Sequence, residues 1–212
     1  MQPLLITGPD STLQDAYEIA KEIWPDRQLV KLHIPSKDYY NFDLSIFDKY
    51  PSDEWGVALA VNEFYINDVR RALQEKIKER GYHFSSLISP RAGISASAQF
   101  GSNAIVHAGC FVGAHSKLGD FCWLRPNTVI SEEVQLGSFI TLEANVSIRE
   151  QSVLENFVTV CAGSSLLRGT QVGKHSYLNV TRQYSGIIPA GTFFSPIFQE
   201  PVQVIGLHRA PE

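Results

Sequence analysis

A histidine and a pair of carboxylates stand at a suggestive spacing in this sequence. Glu132 and Glu133 are adjacent in "ISEEVQLG", residues 130–137, and His115 precedes Glu133 by 18 positions. An imidazole held beside a carboxylate has its charged form stabilised and its tautomer fixed, which suits a general base. The same residue types on an exposed turn would form only a screened ion pair of little consequence. The catalytic reading needs a fold that stacks residues 18 apart.

The surrounding pattern supplies one. From Ile94 to Leu178 every sixth residue is Ile, Leu, Val or Phe, 15 positions in succession. The fifth position of each hexad is small or β-branched until the last, where Arg182 stands. Glycine fills the second position at 101, 113, 119, 137 and 173. Neither an amphipathic helix nor an alternating strand has period six, whereas a parallel β-helix does. Each hexad then supplies a short strand and a turn, with the large aliphatic inward and a small inward residue before the next corner. Three hexads close one triangular coil, so the repeat predicts about five coils and a prism roughly 24 Å long at a strand spacing of about 4.8 Å. Strict hexads mark the left-handed form, an exception to the right-handed crossover rule. In this register His115 and Glu133 both fall at fourth positions and stack one coil apart, at about 4.8 Å. Cys110 and Cys122 fall at inward fifth positions, and Cys161 at a second position nearer the outside.

Residues 1–85 follow different rules. "PLLITG" reads as a buried strand, and "RQLVKLHI" and "WGVALAV" as a second and a third strand. "PDSTLQDAYEIAKEIW" and "INDVRRALQEKIKERG" carry apolar residues at helical spacing, the first opening on a Ser11/Gln14 capping box and the second ending at Gly81. The order predicts a small parallel sheet of Rossmann type, residues 1–85, ahead of the β-helix, residues 86–193, and a C-terminal extension, 194–212. Open sheets of this kind bind ligands beyond the carboxyl ends of their strands. Gly8 and Asp10, before the first helix, and Asn62 and Glu63, after the third strand, are therefore the candidate substrate-binding residues. A helix N-terminus suits a phosphate, although the charge of Asp10 opposes one. The alternative is a loop that only caps the sheet. Tyr39 and Tyr40 either stack a base or cover the sheet.

Composition narrows the classes. Eighteen Lys and Arg against 22 Asp and Glu leave a net charge of −4, with no basic run of the sort that nucleic-acid and membrane-surface proteins carry. No apolar run reaches membrane-spanning length, and the N-terminus has no signal-peptide pattern, so a cytoplasmic location is expected. Three cysteines without metal-ligand spacing read as reduced thiols. His107 and His175 read as surface residues or contacts between copies. His107 and His115 fall on different faces, which argues against a zinc site.

The stretch "LISPRAGISASAQFGSNAIVHAGCFVGAHSKLGDFCWLRPNTVI" resembles the NeuD/PglD-type sugar acyltransferases, and the likeness covers most of the chain. The resemblance implies a homotrimer that moves an acetyl group from acetyl-CoA, or another acyl-CoA, to a nucleotide-linked or related amino sugar in surface-polysaccharide synthesis, without a metal. The family's catalytic hexad has the form Val/Ile-acid-His-acid-Cys. Here it reads Ile130-Ser131-Glu132-Glu133-Val134, so Glu132 takes the histidine's place, and His115 with Glu133 becomes the candidate base. Thr141 stands where the family has a second histidine near coenzyme A. Asn145 and Glu155 replace glycines against which coenzyme A lies, and Thr141, Asn145 and Gly163 are the candidate cofactor-binding residues. The departures at these turns leave a second reading open: a catalytically inactive relative that binds a sugar nucleotide or a partner enzyme.

Overall fold

In a computed structural model, which describes residues 1–38 and 40–203, a small parallel sheet precedes a left-handed β-helix. Tyr39 and residues 204–212 of the C-terminal extension lie outside the described residues.

Strand β1 (Leu4–Gly8) is central, flanked by β2 (Leu29–His33) and β3 (Gly56–Leu59), all parallel. β1 and β3 are buried at every position, as expected of strands covered on both sides. Gly8 is required by packing, since a Cβ there would lie 1.8 Å from Ala60 O. Helix α1 (Thr12–Ile23) packs Leu13, Ala16, Ile19 and Ala20 between β1 and the β-helix residues Ile105 and Trp123. Helix α2 (Asp68–Glu79) sets Val69, Leu73 and Ile77 against Leu5, Leu59 and Phe121. The expected Ser11/Gln14 box is not formed. Ser11 is itself helical and makes no side-chain cap, and Asp10 Oδ1 accepts from Thr12 N–H instead (2.8 Å). A carboxylate one residue earlier both satisfies that donor and opposes the positive end of the helix dipole.

The β-helix has three faces. Face one runs from Leu87–Ile88 to Thr192–Phe194, face two from Gly93–Ile94 to Gln183–Tyr184, and face three from Gln99–Phe100 to Ile187–Ile188. The coils number six rather than five, because the repeat begins one strand before Ile94 and outlasts Leu178. One late step shortens to four residues, Tyr184 to Ile188, so a strict count of six loses the strands that carry Ile188 and Phe194. Parallel pairing joins residues 18 apart, as in Leu118, Leu136 and Leu154. Inward positions from Val106 to Leu178 are at most 5% exposed. Serines and threonines at fifth positions survive inside because each returns its hydroxyl to a carbonyl, as Ser116 does to Ser131 O (2.8 Å) and Ser152 to Arg149 O (2.7 Å). Second-position glycines lie against the next coil, where a Cβ on Gly113 would meet Ser131 C at 2.6 Å. Cys161 is more enclosed than its register suggested, at 7% exposure, because Ser164 and Thr181 close over its sulfur.

Candidate functional site

The fourth position of most hexads is a left-handed turn residue. Asn103, His115, Asn127, Glu133 and Asn145 all have φ between 53° and 61°. Asparagine tolerates this region, whereas histidine and glutamate occupy it at some cost. His115 and Glu133 lie in one turn column at the corner between faces two and three, both exposed. Among the described residues no ion pair joins them. Glu133 Oε2 accepts from Gln151 Nε2 one coil further on (2.9 Å), while Ser97 Oγ accepts the His115 backbone N–H (3.0 Å). Glu132 is exposed beside them.

Asn145 and Gly163 are stacked one coil apart at the corner between faces one and two, and Asn127 Nδ2 donates to Asn145 Oδ1 (3.3 Å). Thr141 is not with them. It is fully buried under α2, donating to Asn67 Oδ1 (2.7 Å) and accepting from Arg70 Nη2 (3.0 Å). That closes it to a ligand, because the small α/β unit sits on face one at this level.

At the strand ends, Asp10 Oδ2 accepts from Asn62 N–H (3.1 Å), so Asp10 ties the two loops together. Asn62 and Glu63 are half-buried. Glu63 looks toward face one, where burial raises the carboxyl pKa of Glu143 against the hydrogen bond from Ala162 N–H, and the charge of Glu63 adds to the rise. Burial, then Glu143 and Glu63, push the Tyr177 hydroxyl up to about 12. Beside Asp10 a cleft of about 210 Å³ is walled by Lys37, Phe42 and Phe64, and it adjoins one of about 700 Å³ that Lys37, Phe42 and Lys76 also line. Lys37, Phe42 and Lys76 escaped the sequence reading, which looked only at the tyrosines of "SKDYYNFD".

A further cleft, of about 660 Å³, separates α1 from the first coils and is lined by Asp15, Glu22, Arg91, His107 and Arg125. His107, expected at the surface, is 8% exposed, because α1 covers this part of face one. Trp123 Nε1–H donates to His107 Nε2 (2.9 Å). Burial and then Arg125 depress the His107 pKa from 6.5 to about 4, with Asp15 opposing. The folded value lies below the unfolded one, so the unfolded chain binds more protons in that window. Stability present above pH 6.5 is thus lost as pH falls toward 4, by up to about 3 kcal/mol. Urea midpoints at pH 7 and 4.5 should converge partly in His107→Gln. An equal acid loss in variant and parent would refute this.

Among the described residues no group of His, Cys, Asp and Glu is placed to hold a metal ion, and no helix is long and apolar enough to cross a membrane.

No family model matches the sequence, and no curated protein does. Solved structures do. The acetyltransferase domain of PglB from Neisseria gonorrhoeae superposes with a TM-score of 0.81 at 18% identity, over 95% of this chain and 100% of that one. The same domain in complex with acetyl coenzyme A gives 0.79 at 18%, over 95% and 99%. PerB from Caulobacter crescentus, in complex with CoA and GDP-perosamine, gives 0.56 at 19%, over 91% and 93%. This chain shares their fold. The likeness takes in the small sheet as well as the β-helix, so the two units occur together in the same order in those proteins.

Proposed function

We propose that this chain transfers an acetyl group from acetyl-CoA to the amine of a nucleotide-linked sugar, acting in the cytoplasm in surface-polysaccharide synthesis. The reading rests above all on the match of both units to a domain solved with acetyl coenzyme A, over 95% of the chain. The strand-end clefts suit the nucleotide. Lys37 and Lys76 supply cations for phosphates, and Phe42 supplies a flat apolar surface. Coenzyme A lies along the corner that carries Asn145 and Gly163. His115, assisted by Glu133 and Glu132, takes the proton from the attacking amine. Copies associate as a homotrimer, so that the His115 corner of one faces the Asn145 corner of the next. Phe111 and Val129, 49% and 39% exposed and paired on face two, favour such association.

Single-turnover transfer from acetyl-CoA to a panel of GDP-, UDP- and dTDP-linked amino sugars tests the reading. The parent should exceed the enzyme-free rate, and His115→Ala should lose about a hundredfold, the usual size of a general-base contribution. An equal rate in both proteins removes His115 from the mechanism. No transfer, with nucleotide-sugar binding retained, would identify a non-catalytic binding relative, the reading that Glu132 at the family's histidine position favours.

A further inference from the structure

His107 is a buried imidazole that the acetyl-transfer reading leaves without a role. Its Nε2 is occupied as an acceptor by the Trp123 indole N–H (2.9 Å), so the ring proton must sit on Nδ1. Among the described residues nothing accepts from Nδ1, and that nitrogen stays open to the cleft beneath α1. Such a ring is a poor base, since its lone pair is taken. It is a good neutral donor, and its depressed pKa keeps it neutral at physiological pH.

Arg125 stands beside it. Its guanidinium stacks 4.5 Å from the Trp123 ring, one nitrogen pairs with Asp15 (3.2 Å), and its side chain is 20% exposed. Stacking and the ion pair hold the fork in place on the same cleft that His107 lines. Arg91, whose charge is already met by Glu22, forms the rim. Three carboxylates and three cations line the cleft, so its net charge is near zero, which suits an uncharged polar group better than a free anion.

The position matters as much as the chemistry. Arg125 and His107 belong to the corner between faces one and two, one and two coils below Asn145. A long thin ligand laid along that corner past Gly163 and Asn145 enters this cleft after about 5–10 Å, at one strand spacing per coil.

We propose that the cleft receives the thioester end of acyl-CoA, with His107 Nδ1–H and Arg125 donating to its carbonyl oxygen. This rests on the acetyl-transfer reading above. As the sugar amine attacks the carbonyl carbon, the π pair moves onto oxygen, where the two donors stabilise it. Collapse re-forms the carbonyl, breaks the C–S bond, and leaves an amide and coenzyme A thiolate. The amine's proton, relayed by the base, ends on that sulfur. His107 thus acts as the oxyanion donor while proton abstraction falls to another group.

The test is the infrared carbonyl stretch of [1-¹³C]acetyl-CoA bound to the full chain without an acceptor, alongside calorimetric binding. In the parent the stretch should fall below its value in water. In His107→Leu and in Arg125→Gln the lowering should shrink while acetyl-CoA still binds, and single-turnover transfer should drop by about 10²–10³-fold, as when one oxyanion donor is removed. Arg125→Gln, at a partly exposed site, decides the matter if His107→Leu does not fold. Bound acetyl-CoA with the same stretch in all three proteins would overturn the assignment of these donors and leave the acetyl-transfer reading standing. A parent that does not bind acetyl-CoA at millimolar concentration would overturn both.

Discussion

Replacing Arg70 by alanine should cost about 3–5 kcal/mol, the range for removing a buried, hydrogen-bonded charge and its volume. Arg70 is 1% exposed. Its guanidinium donates to Val61 O (2.9 Å), Phe121 O (3.0 Å) and Thr141 Oγ1 (3.0 Å), and lies 5.5 Å from the Trp123 ring. Among the described residues no carboxylate pairs with it. Burial lowers its pKa to about 10, which still leaves it charged at neutral pH. One residue therefore binds the end of β3, the edge of face one and α2 together. Alanine would strand two buried carbonyls, each at about 1–3 kcal/mol, and open a cavity. Arg70→Met, which fills most of the volume, should cost clearly less than alanine. Urea unfolding followed by Trp fluorescence and by far-UV circular dichroism is the measurement. Both midpoints should fall in Arg70→Ala, and the two probes should separate as the small sheet melts off the β-helix. A loss under about 1 kcal/mol, the size of a surface substitution, would mean that Arg70 is not a latch.

Changing Leu136 to aspartate should be more damaging still. Leu136 is 5% exposed, paired with Leu118 below and Leu154 above, so its side chain is part of a continuous apolar column. A carboxylate there has no donor to meet it and must either stay charged in an apolar interior or bind a proton. Either way the loss is several kcal/mol. Two controls separate burial from mere change. Leu136→Met keeps volume and should cost under about 1.5 kcal/mol. Gln135→Asp, on the exposed side of the same strand, should stay within about 0.5 kcal/mol. If Leu136→Asp melts with the parent, the inward assignment of this hexad position is wrong.

The β-helix was legible because its repeat is local. Each hexad states its own strand, corner and inward residue, and the neighbour of every residue is the one 18 positions away. The column containing His115 and Glu133 follows from that rule alone. The coil count came out one short because the repeat begins at Ile88, before the count started, and because the four-residue step from Tyr184 to Ile188 hides the last two strands from a period of six. Asn145, which reads as a lost glycine, sits at φ 60°, a backbone state that asparagine tolerates best after glycine.

Side chains at the junction of the two units were not legible in the same way. Arg70 looks like a surface residue of an amphipathic helix. The one sequence signal was its place on the apolar stripe with Leu73 and Ile77, at three- and seven-residue steps. Nothing marked His107, an outward-facing second-position residue like many others.

By itself the sequence determined the architecture: a parallel α/β unit, then a prism whose interior is specified residue by residue. Periodicity carries that information because it records which side of each strand meets apolar neighbours. Only the tertiary structure decided which of the three outer faces would be covered, and at which coils. Docking α1 and α2 on face one buries His107, Arg70 and Thr141 and leaves His115, Glu132 and Glu133 in water. Apart from Arg70, which α2 itself carries, all are outward positions of the same repeat. Their different chemistry comes from desolvation by segments some 30–90 residues away in sequence, which no local pattern encodes.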